Sequence, residues 1–183
     1  MIDSKQASAA LDDVNDVIQR VRQSQIYQIA SLIVVIWGVL LFVAYIANYV
    51  WPRQAYAIWM AHNLIGIAIS AAIGVGINRR SGTPRFPIRS LATFLLIIAF
   101  GMFCSIVLGH FSPRQMTVFW AVYGMLFYAI AGLWFGYVFI VIAICTSALA
   151  LLGYYYAGAF YLLWMAVVHG GGLIAGGLWM RRI

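Results

Sequence analysis

The sequence predicts an all-α integral membrane protein, a bundle of six transmembrane helices with both termini in the cytoplasm. Of its 183 residues, 65% are hydrophobic and only 8% are charged, whereas about a quarter of the residues of a soluble domain are charged. No acidic residue follows Asp16, and beyond residue 25 six apolar runs approach or exceed the roughly 20 residues that cross the hydrocarbon. None of the runs shows the two-residue alternation of barrel strands.

The chain divides at residue 25. Residues 1–25 are predicted to form a cytoplasmic amphipathic helix, and residues 26–183 a six-helix transmembrane domain. The predicted spans are residues 26–50, 55–78, 89–110, 115–133, 134–156 and 160–180. Only the short glycine-flanked stretch 132–136 marks the boundary between the fourth span and the fifth.

The arginines predict the orientation. Eight fall on the side of the termini, and only Arg53 and Arg114 fall on the other; the eight are Arg20, Arg22, Arg79, Arg80, Arg85, Arg89, Arg181 and Arg182. Positive residues accumulate on the cytoplasmic side, so we expect both termini there and place the protein in a cell membrane, the bacterial inner membrane. The net charge of +7 is dispersed over interfacial loops, which favours anionic lipid heads as its partner and not nucleic acid.

The N-terminal segment is predicted to be a helix leading into the first span. Ser4 can cap it, and its aspartates precede its arginines, an order that suits the helix dipole. An apolar stripe with spacing of three and four follows one face, formed by Leu11, Val14, Ile18 and Val21. The stripe is interpreted as a docking surface for a partner or as a seam between copies. The alternatives are a helix lying on lipid or folded back on the loops, and two heptads are too few to claim a coiled coil.

Short recurring motifs suggest three tandem two-helix hairpins. A Pro-Arg-Gln triplet occurs at 52–54 and at 113–115, each with a tryptophan seven residues after its proline. Residues 56–61 also resemble residues 161–166, with Tyr, Trp, Met and Ala in matching places. Tandem similarity of this kind indicates an internal repeat. The alternative is that tryptophan and tyrosine simply form an aromatic belt at the membrane interface.

Small residues mark two helix faces. In the second span His62, Gly66, Ser70 and Gly74 follow one another at intervals of four, and in the sixth Gly172 and Gly176 form a G-x-x-x-G. Small faces let helix backbones approach closely, so these glycines are predicted to be packing positions. A continuous small face of this kind is also compatible with a narrow path for an uncharged solute.

All three histidines, His62, His110 and His169, are expected in the outer half of the membrane, with Met165 on the face of His169. Ionisable residues within spans are a default functional hypothesis. The candidate ligand-binding residues are His62, Ser70, His169 and Met165. A haem or metal site at the three histidines is the alternative, although no carboxylate is available to orient the rings, and no cofactor is expected. Neutral, hydrogen-bonded structural histidines are the third interpretation.

The stretch from His169 through Gly172 to Gly176 resembles the sixth helix of rhomboid proteases, and His62 occupies a place comparable to that family's second-helix histidine. The resemblance implies a serine in the fourth helix, but residues 115–133 contain none. Without that hydroxyl no acyl-enzyme can form, and an inactive rhomboid-like binding protein is what the resemblance leaves.

The missing residue types narrow the function. Proton- or sodium-coupled transport usually relies on an intramembrane carboxylate, and the chain contains neither that nor a phosphate-binding Gly-x-x-x-x-Gly-Lys-Ser/Thr loop. We therefore expect a non-catalytic accessory, regulatory or ligand-sensing membrane subunit, either a homo-oligomer or bound to another membrane or cytoplasmic protein through its N-terminal helix. The alternatives are a passive channel or facilitator for a neutral small solute, and a haem- or metal-binding membrane protein.

Overall fold

The computed structural model describes the backbone of residues 4–81 and 88–182, and the side chains of residue 14 and of residues 27–76 and 95–182. Within these ranges the chain is all-helical, without strands. Five helices are long and apolar enough to cross a membrane, Tyr27–Val50, Pro52–Gly76, Pro113–Phe135, Tyr137–Tyr156 and Gly158–Met180, and a shorter apolar helix covers Leu95–Leu108. These helices confirm the prediction of a helical membrane protein, and five to six of them are candidate spans.

The first helix, α1, is one uninterrupted helix of 47 residues, Ser4–Val50. No glycine or proline precedes Gly38 in the chain, so no helix-breaking residue interrupts the part of α1 before that position. At 1.5 Å per residue it is about 70 Å long, more than twice the roughly 30 Å of bilayer hydrocarbon. The segment before Tyr27 is called the stalk below. It was predicted as a helix that leads into the first span, and its backbone is continuous with that span.

A short turn links α1 to the second helix. A 3-10 turn, Pro52–Gln54, leads into α2, Ala55–Ser81. The third helix, α3, covers Ile88–Phe103 and continues as a π-helical turn, Cys104–Leu108. The apolar run 89–110 is therefore helical as far as Leu108, and its C-terminal turn is a π-helix.

The fourth helix, α4, Pro113–Phe135, begins with a reciprocal cap. The Ser112 hydroxyl accepts from the Gln115 backbone N–H, and the Ser112 N–H donates to the Gln115 side chain. The fifth helix, α5, covers Tyr137–Tyr156. The turn between them lies at Gly136, which has φ +128°, a conformation that only glycine adopts readily. The predicted boundary after residue 133 was therefore placed too early.

The last helix, α6, has three parts. A 3-10 turn, Gly158–Phe160, precedes Tyr161–Met165, a π-helical segment covers Ala166–Gly171, and Gly172–Met180 completes the helix. The π-helical segment contains His169 and two glycines of the run 170–172. π-Helical turns inside α-helices occur frequently at functional sites. His169 therefore lies in a segment of the type that often marks such a site.

The closest helix contact joins α1 and α6. A Cβ added to Gly38 would lie 2.8 Å from the Ile174 backbone nitrogen, and one added to Gly170 would lie 2.7 Å from the Phe42 Cα. Gly177 also approaches α1, with its hypothetical Cβ 2.7 Å from a Val35 methyl. Glycines on both helices therefore let the two backbones touch, as small residues do in membrane interiors.

A hydrogen bond joins the two helices at the end of the α1–α6 contact that contains Ser31. The Arg181 Nε donates to the Ser31 hydroxyl at 2.8 Å, and the Ser31 side chain is fully buried. This bond holds the C-terminal end of α6 to the part of α1 from which the stalk emerges.

Helices α2 and α3 lie at the periphery. Within 55–76 only His62 and Gly66 of α2 are buried. On α3, the Ile97 carbonyl accepts from the Tyr123 hydroxyl at 2.7 Å, and Gly101 lies beneath the Trp120 and Tyr123 rings of α4. Most of the remaining described side chains of these two helices are exposed apolar groups, as expected for surfaces that face lipid.

The residues of the proposed repeat occupy different environments. Tyr56 of α2 is 78% exposed, whereas the matching Tyr161 of α6 is 4% exposed. Met60 is exposed and Met165 is fully buried. The hairpin repeat stays a prediction from the sequence, and in the described structure its members do not make equivalent contacts.

Candidate functional site

Two histidines converge on α1 from different helices. His62 of α2 and His169 of α6 are both buried, with 7% and 6% of their surfaces exposed. Around them lie Trp37 and Tyr45 of α1 and Trp59 of α2. These five side chains are called the histidine cluster. It gathers residues more than a hundred positions apart in the chain, which the spacing of the histidines alone did not indicate.

His169 is held by a tyrosine. The Tyr45 hydroxyl lies 3.0 Å from His169 Nδ1 and hydrogen-bonds to it inside the bundle. The hydroxyl donates this bond when the imidazole carries its proton on Nε2. Because Tyr45 is itself 2% exposed, the bond is formed out of contact with water. A buried bond of this kind is sensitive to any change in the position of α6 relative to α1.

His62 lies between two tryptophans. Its ring centroid is 5.3 Å from Trp37 and 5.5 Å from Trp59, both edge-to-face, and Tyr45 packs on Trp59 in the same manner at 5.0 Å. Edge-to-face geometry is the favoured arrangement of such rings. The His62 Nδ1 atom is buried and has no hydrogen-bond partner among the described residues. A buried polar atom without a protein partner is a position at which a water molecule or a ligand can hydrogen-bond.

The small face predicted on α2 is covered by Trp37. The indole Nε1 donates to the Ser70 hydroxyl at 3.1 Å, and a Cβ added to Gly66 would lie 2.6 Å from the indole ring. Trp37 therefore fills the space over the face that contains His62, Gly66 and Ser70. Gly74, the next residue of that face, is exposed, and an added Cβ there would meet nothing within 4 Å.

The other predicted packing glycines lie on α6. A Cβ on Gly176 would lie 2.5 Å from the end of the Ile142 side chain, and one on Gly172 would lie 3.4 Å from the Thr146 hydroxyl. Both glycines therefore face α5. The sequence analysis did not single out Gly38, whose added Cβ would lie 2.8 Å from the Ile174 backbone nitrogen of α6.

A second polar group surrounds Arg114. It consists of Arg114, Tyr154 and Tyr161 and is called the arginine cluster. The Arg114 Nη2 donates to the carbonyls of Gly153 and Tyr154, at 3.3 and 2.7 Å, at the C-terminal end of α5. Its guanidinium carbon lies 4.9 Å from the centroid of the Tyr161 ring and 5.4 Å from that of Tyr154. A cation is favoured both at a helix C-terminus and over an aromatic face. Arg114 belongs to the second Pro-Arg-Gln triplet. The sequence analysis interpreted that triplet only as part of a repeat and did not predict this cluster.

Two atoms of the arginine cluster lack partners among the described residues. They are the Arg114 Nε and the Tyr161 hydroxyl, and both are buried. Together with His62 Nδ1, they place three unsatisfied polar atoms in the same half of the bundle. Each costs about 1–3 kcal/mol if it remains unpaired, so these atoms are favourable sites for a bound hydrogen-bonding group.

The remaining predicted site residues lie apart or take a packing role. Met165 is fully buried in the core. His110 is exposed in the link before α4. Among the side chains that the structure describes, no three His, Cys, Asp or Glu residues come together as a metal-binding group. The three histidines are therefore not brought to one point, and only His62 and His169 share a site.

The stalk residues fall mostly outside the described side chains. Val14 is 54% exposed, and the helical backbone runs through the whole stripe. The side chains of Leu11, Ile18 and Val21 lie outside the described set.

Fold and site together define a helical membrane protein with a buried, uncharged polar cluster in one half of its bundle. No protein-family model, curated protein or solved structure matches this chain. What the cluster does must therefore be argued from its own chemistry.

Proposed function

We propose that this protein is a non-catalytic regulatory subunit of a cell membrane, one that senses a ligand at the histidine cluster and docks a partner helix through its stalk. In this proposal both termini and the stalk are cytoplasmic, because eight arginines lie on that side. In this proposal the membrane domain has six spans, namely the five longer helices and α3. The bacterial inner membrane is the expected location.

The observation that carries the proposal is the continuity of α1. One helix of 47 residues contains Trp37 and Tyr45 of the histidine cluster and also the apolar stripe of the stalk. A stiff helix transmits a shift or rotation at one end to the other end. Because α1 is bonded to α6 at both Tyr45 and Ser31, a ligand that separates α6 from α1 would move the stalk.

The ligand we propose is a small neutral group that donates and accepts hydrogen bonds. His62 Nδ1 and the Tyr161 hydroxyl are the buried atoms available to it. A charged ligand is disfavoured for two reasons. No carboxylate follows Asp16 to compensate a cation, and the Arg114 guanidinium that would attract an anion already donates through Nη2 to two carbonyls, which leaves its buried Nε–H as the donor without a partner. Burying an unpaired charge costs far more than burying a neutral polar group.

Neither alternative function gains a supporting observation. A channel along the small face of α2 would have to displace Trp37, which bonds Ser70 and covers Gly66. A haem or metal site would need one nitrogen of His62 and one of His169 to face the same point, and because His169 Nδ1 is bonded to Tyr45, His169 could contribute only its Nε2.

Native mass spectrometry of the protein, gently solubilised from its own membranes, tests the proposal. We expect an associated protein chain that is lost in Val14→Asp and retained in the matched control Gln23→Asp. At 100° per residue, position 23 lies on the side of the stalk opposite the stripe. We also expect a small bound mass that is lost in His62→Leu. A spectrum that contains only the bare monomer, with no second chain and no small mass, would contradict both halves of the proposal.

A further inference from the structure

The membrane part of α1 has one exposed apolar stripe. It follows spacing of three and four without interruption, and it consists of Ile29, Leu32, Ile36, Val39, Val43, Ile46 and Val50. Ile36 is partly buried, and the other six side chains are exposed. The opposite side of the same helix packs on α6 through Gly38. α1 therefore has one side in the bundle and one open apolar side.

The open stripe continues into the stalk. At 100° per residue, the mean direction of the membrane stripe and that of positions 11, 14, 18 and 21 differ by only about 10°. Gln25 falls on the same line between the two sets. One face of the 47-residue helix is thus apolar from its outer end to the distal stalk, with a glutamine where the helix leaves the membrane.

Lipid can cover only half of this face. The hydrocarbon is about 30 Å thick, so the stalk, roughly 35 Å of helix before Tyr27, extends beyond it into water. Val14 is 54% exposed there. A partner that covers both parts must itself be a helix that crosses the membrane beside α1 and leaves it in the same direction.

From this we infer that α1 of a second copy covers the stripe, forming a parallel two-fold seam that runs from the outer end of the span through the stalk. This inference rests on the docking role proposed above and names the partner. Two copies inserted in one orientation leave the membrane at the same height, so identical positions of their stripes meet in register, as a two-fold contact requires. A glutamine within an apolar seam is a polar position of the type that specifies register.

Charge and area are consistent with this seam. The stalk aspartates, Asp12, Asp13 and Asp16, lie about 120° or more from the stripe, so equal charges of the two copies do not face each other. A Val, Leu or Ile side chain has roughly 60–120 Å² of apolar surface at the usual transfer coefficient. The stripe then buries roughly 700 Å² per copy, close to the ~800 Å² per partner of a stable interface. At the same area per side chain, the seven membrane positions give roughly 450 Å² and the four stalk positions roughly 250 Å², so the stalk is needed to approach the area of a stable interface.

Cysteine cross-linking along α1 in isolated membranes tests the seam. In a background with Cys104→Ala and Cys145→Ala, single cysteines replace Val14 in the stalk and Val43 in the membrane, which are 54% and 58% exposed. The matched controls are Gln23→Cys on the opposite side of the stalk and Leu152→Cys on α5, which is 47% exposed. Each variant is oxidised with copper phenanthroline, and a second sample is labelled with maleimide-benzophenone and irradiated.

We expect disulfide-linked dimers of twice the 20.3 kDa chain mass at both Val14→Cys and Val43→Cys, with at least a five-fold lower yield at the two controls. Equal yields at all four positions would overturn the seam, because they would report random collision. A benzophenone adduct to a different protein at position 14, without dimer, would overturn the second copy and leave the docking role standing. No protein adduct at position 14 would overturn both.

Discussion

Removing one oxygen atom from Tyr45 and one from Tyr161 should have opposite effects on stability. The Tyr45 hydroxyl is buried and bonds His169 Nδ1 at 3.0 Å, whereas the Tyr161 hydroxyl is buried with no partner among the described residues. Both residues become phenylalanine, so ring packing, volume and rotamer stay the same. The two variants therefore differ only in whether the lost hydroxyl was satisfied.

For Tyr45→Phe the expected loss of unfolding free energy has two sources. One is the lost hydrogen bond, and the other is His169 Nδ1, which is left without its partner. A net hydrogen bond contributes about 0.5–1.5 kcal/mol, and a buried acceptor left unsatisfied adds up to ~1–3 kcal/mol. Inside membrane proteins such bonds average ~0.6 and reach ~1.7 kcal/mol, because the unfolded chain in the membrane also finds partners. We expect the free energy of unfolding of Tyr45→Phe to fall by about 1–2 kcal/mol. For Tyr161→Phe we expect no loss, or a gain of up to ~1 kcal/mol, because an unpaired polar group leaves the interior.

The assay is reversible unfolding in mixed detergent micelles, followed by circular dichroism, with both variants measured beside the wild type. A double-mutant cycle isolates the pair, since Tyr45→Phe should have little further effect in a His169→Leu background. The reasoning is refuted if Tyr161→Phe destabilises the protein as much as Tyr45→Phe. It is also refuted if the effects of Tyr45→Phe and His169→Leu are fully additive.

Three further substitutions have matched controls or a clear local cause, and each can be measured by the same unfolding assay. Gly38→Ala should destabilise by about 1–3 kcal/mol, because its Cβ would lie 2.8 Å from a backbone nitrogen of α6. Gly74→Ala, whose Cβ would meet nothing within 4 Å, should be neutral or stabilising by up to ~1 kcal/mol; equal losses would contradict the close approach. Arg114→Lys should cost about 1–2 kcal/mol, because an ammonium cannot reproduce the planar fork that bonds two carbonyls while lying over two rings. Arg53→Lys, at the matching position of the first triplet but exposed, should change stability by less than ~0.5 kcal/mol, and a loss at both sites would point to a shared role of the two triplets. Gly136→Ala should lose about 1–3 kcal/mol, since φ +128° strains any other residue, and an unchanged stability would mean that the turn relaxes.

Much of the fold could be predicted from the sequence because lipid imposes simple requirements. Backbone groups in hydrocarbon must be satisfied within the segment, so long apolar runs become helices, and the capping residues Ser112 and Gln115 mark where α4 begins. The turn at Gly136 was misplaced because Gly132 and Gly136 give the same signal in the sequence. Only the structure shows that Gly132 packs against Ile140 while Gly136 takes the positive φ.

The candidate site was predicted in part. His62 and His169 were singled out because ionisable residues are rare in membranes, and the structure places both in one cluster. Their neighbours Tyr45 and Trp37 were missed because aromatic residues are abundant in this chain and those two follow no motif. Which aromatic ring faces a histidine depends on how helices that are distant in the chain rotate against each other. That rotation is determined here by the glycines of α1 and α6, and spacing within one helix does not reveal it.

No carboxylate follows Asp16, and two arginines and one histidine of the membrane domain hydrogen-bond to neutral groups instead. A cation there has no acidic partner, so Arg114 relies on the carbonyls at the end of α5 and on two tyrosine faces. Arg181 likewise donates to a serine hydroxyl, and His169 pairs with a tyrosine. Each of these partners is neutral, so each contact is weaker and easier to exchange than a buried ion pair, whose disruption costs about 3–5 kcal/mol. Under the proposed function, a neutral ligand that offers comparable hydrogen bonds would therefore compete with Tyr45 for His169, whereas a buried ion pair would resist such an exchange.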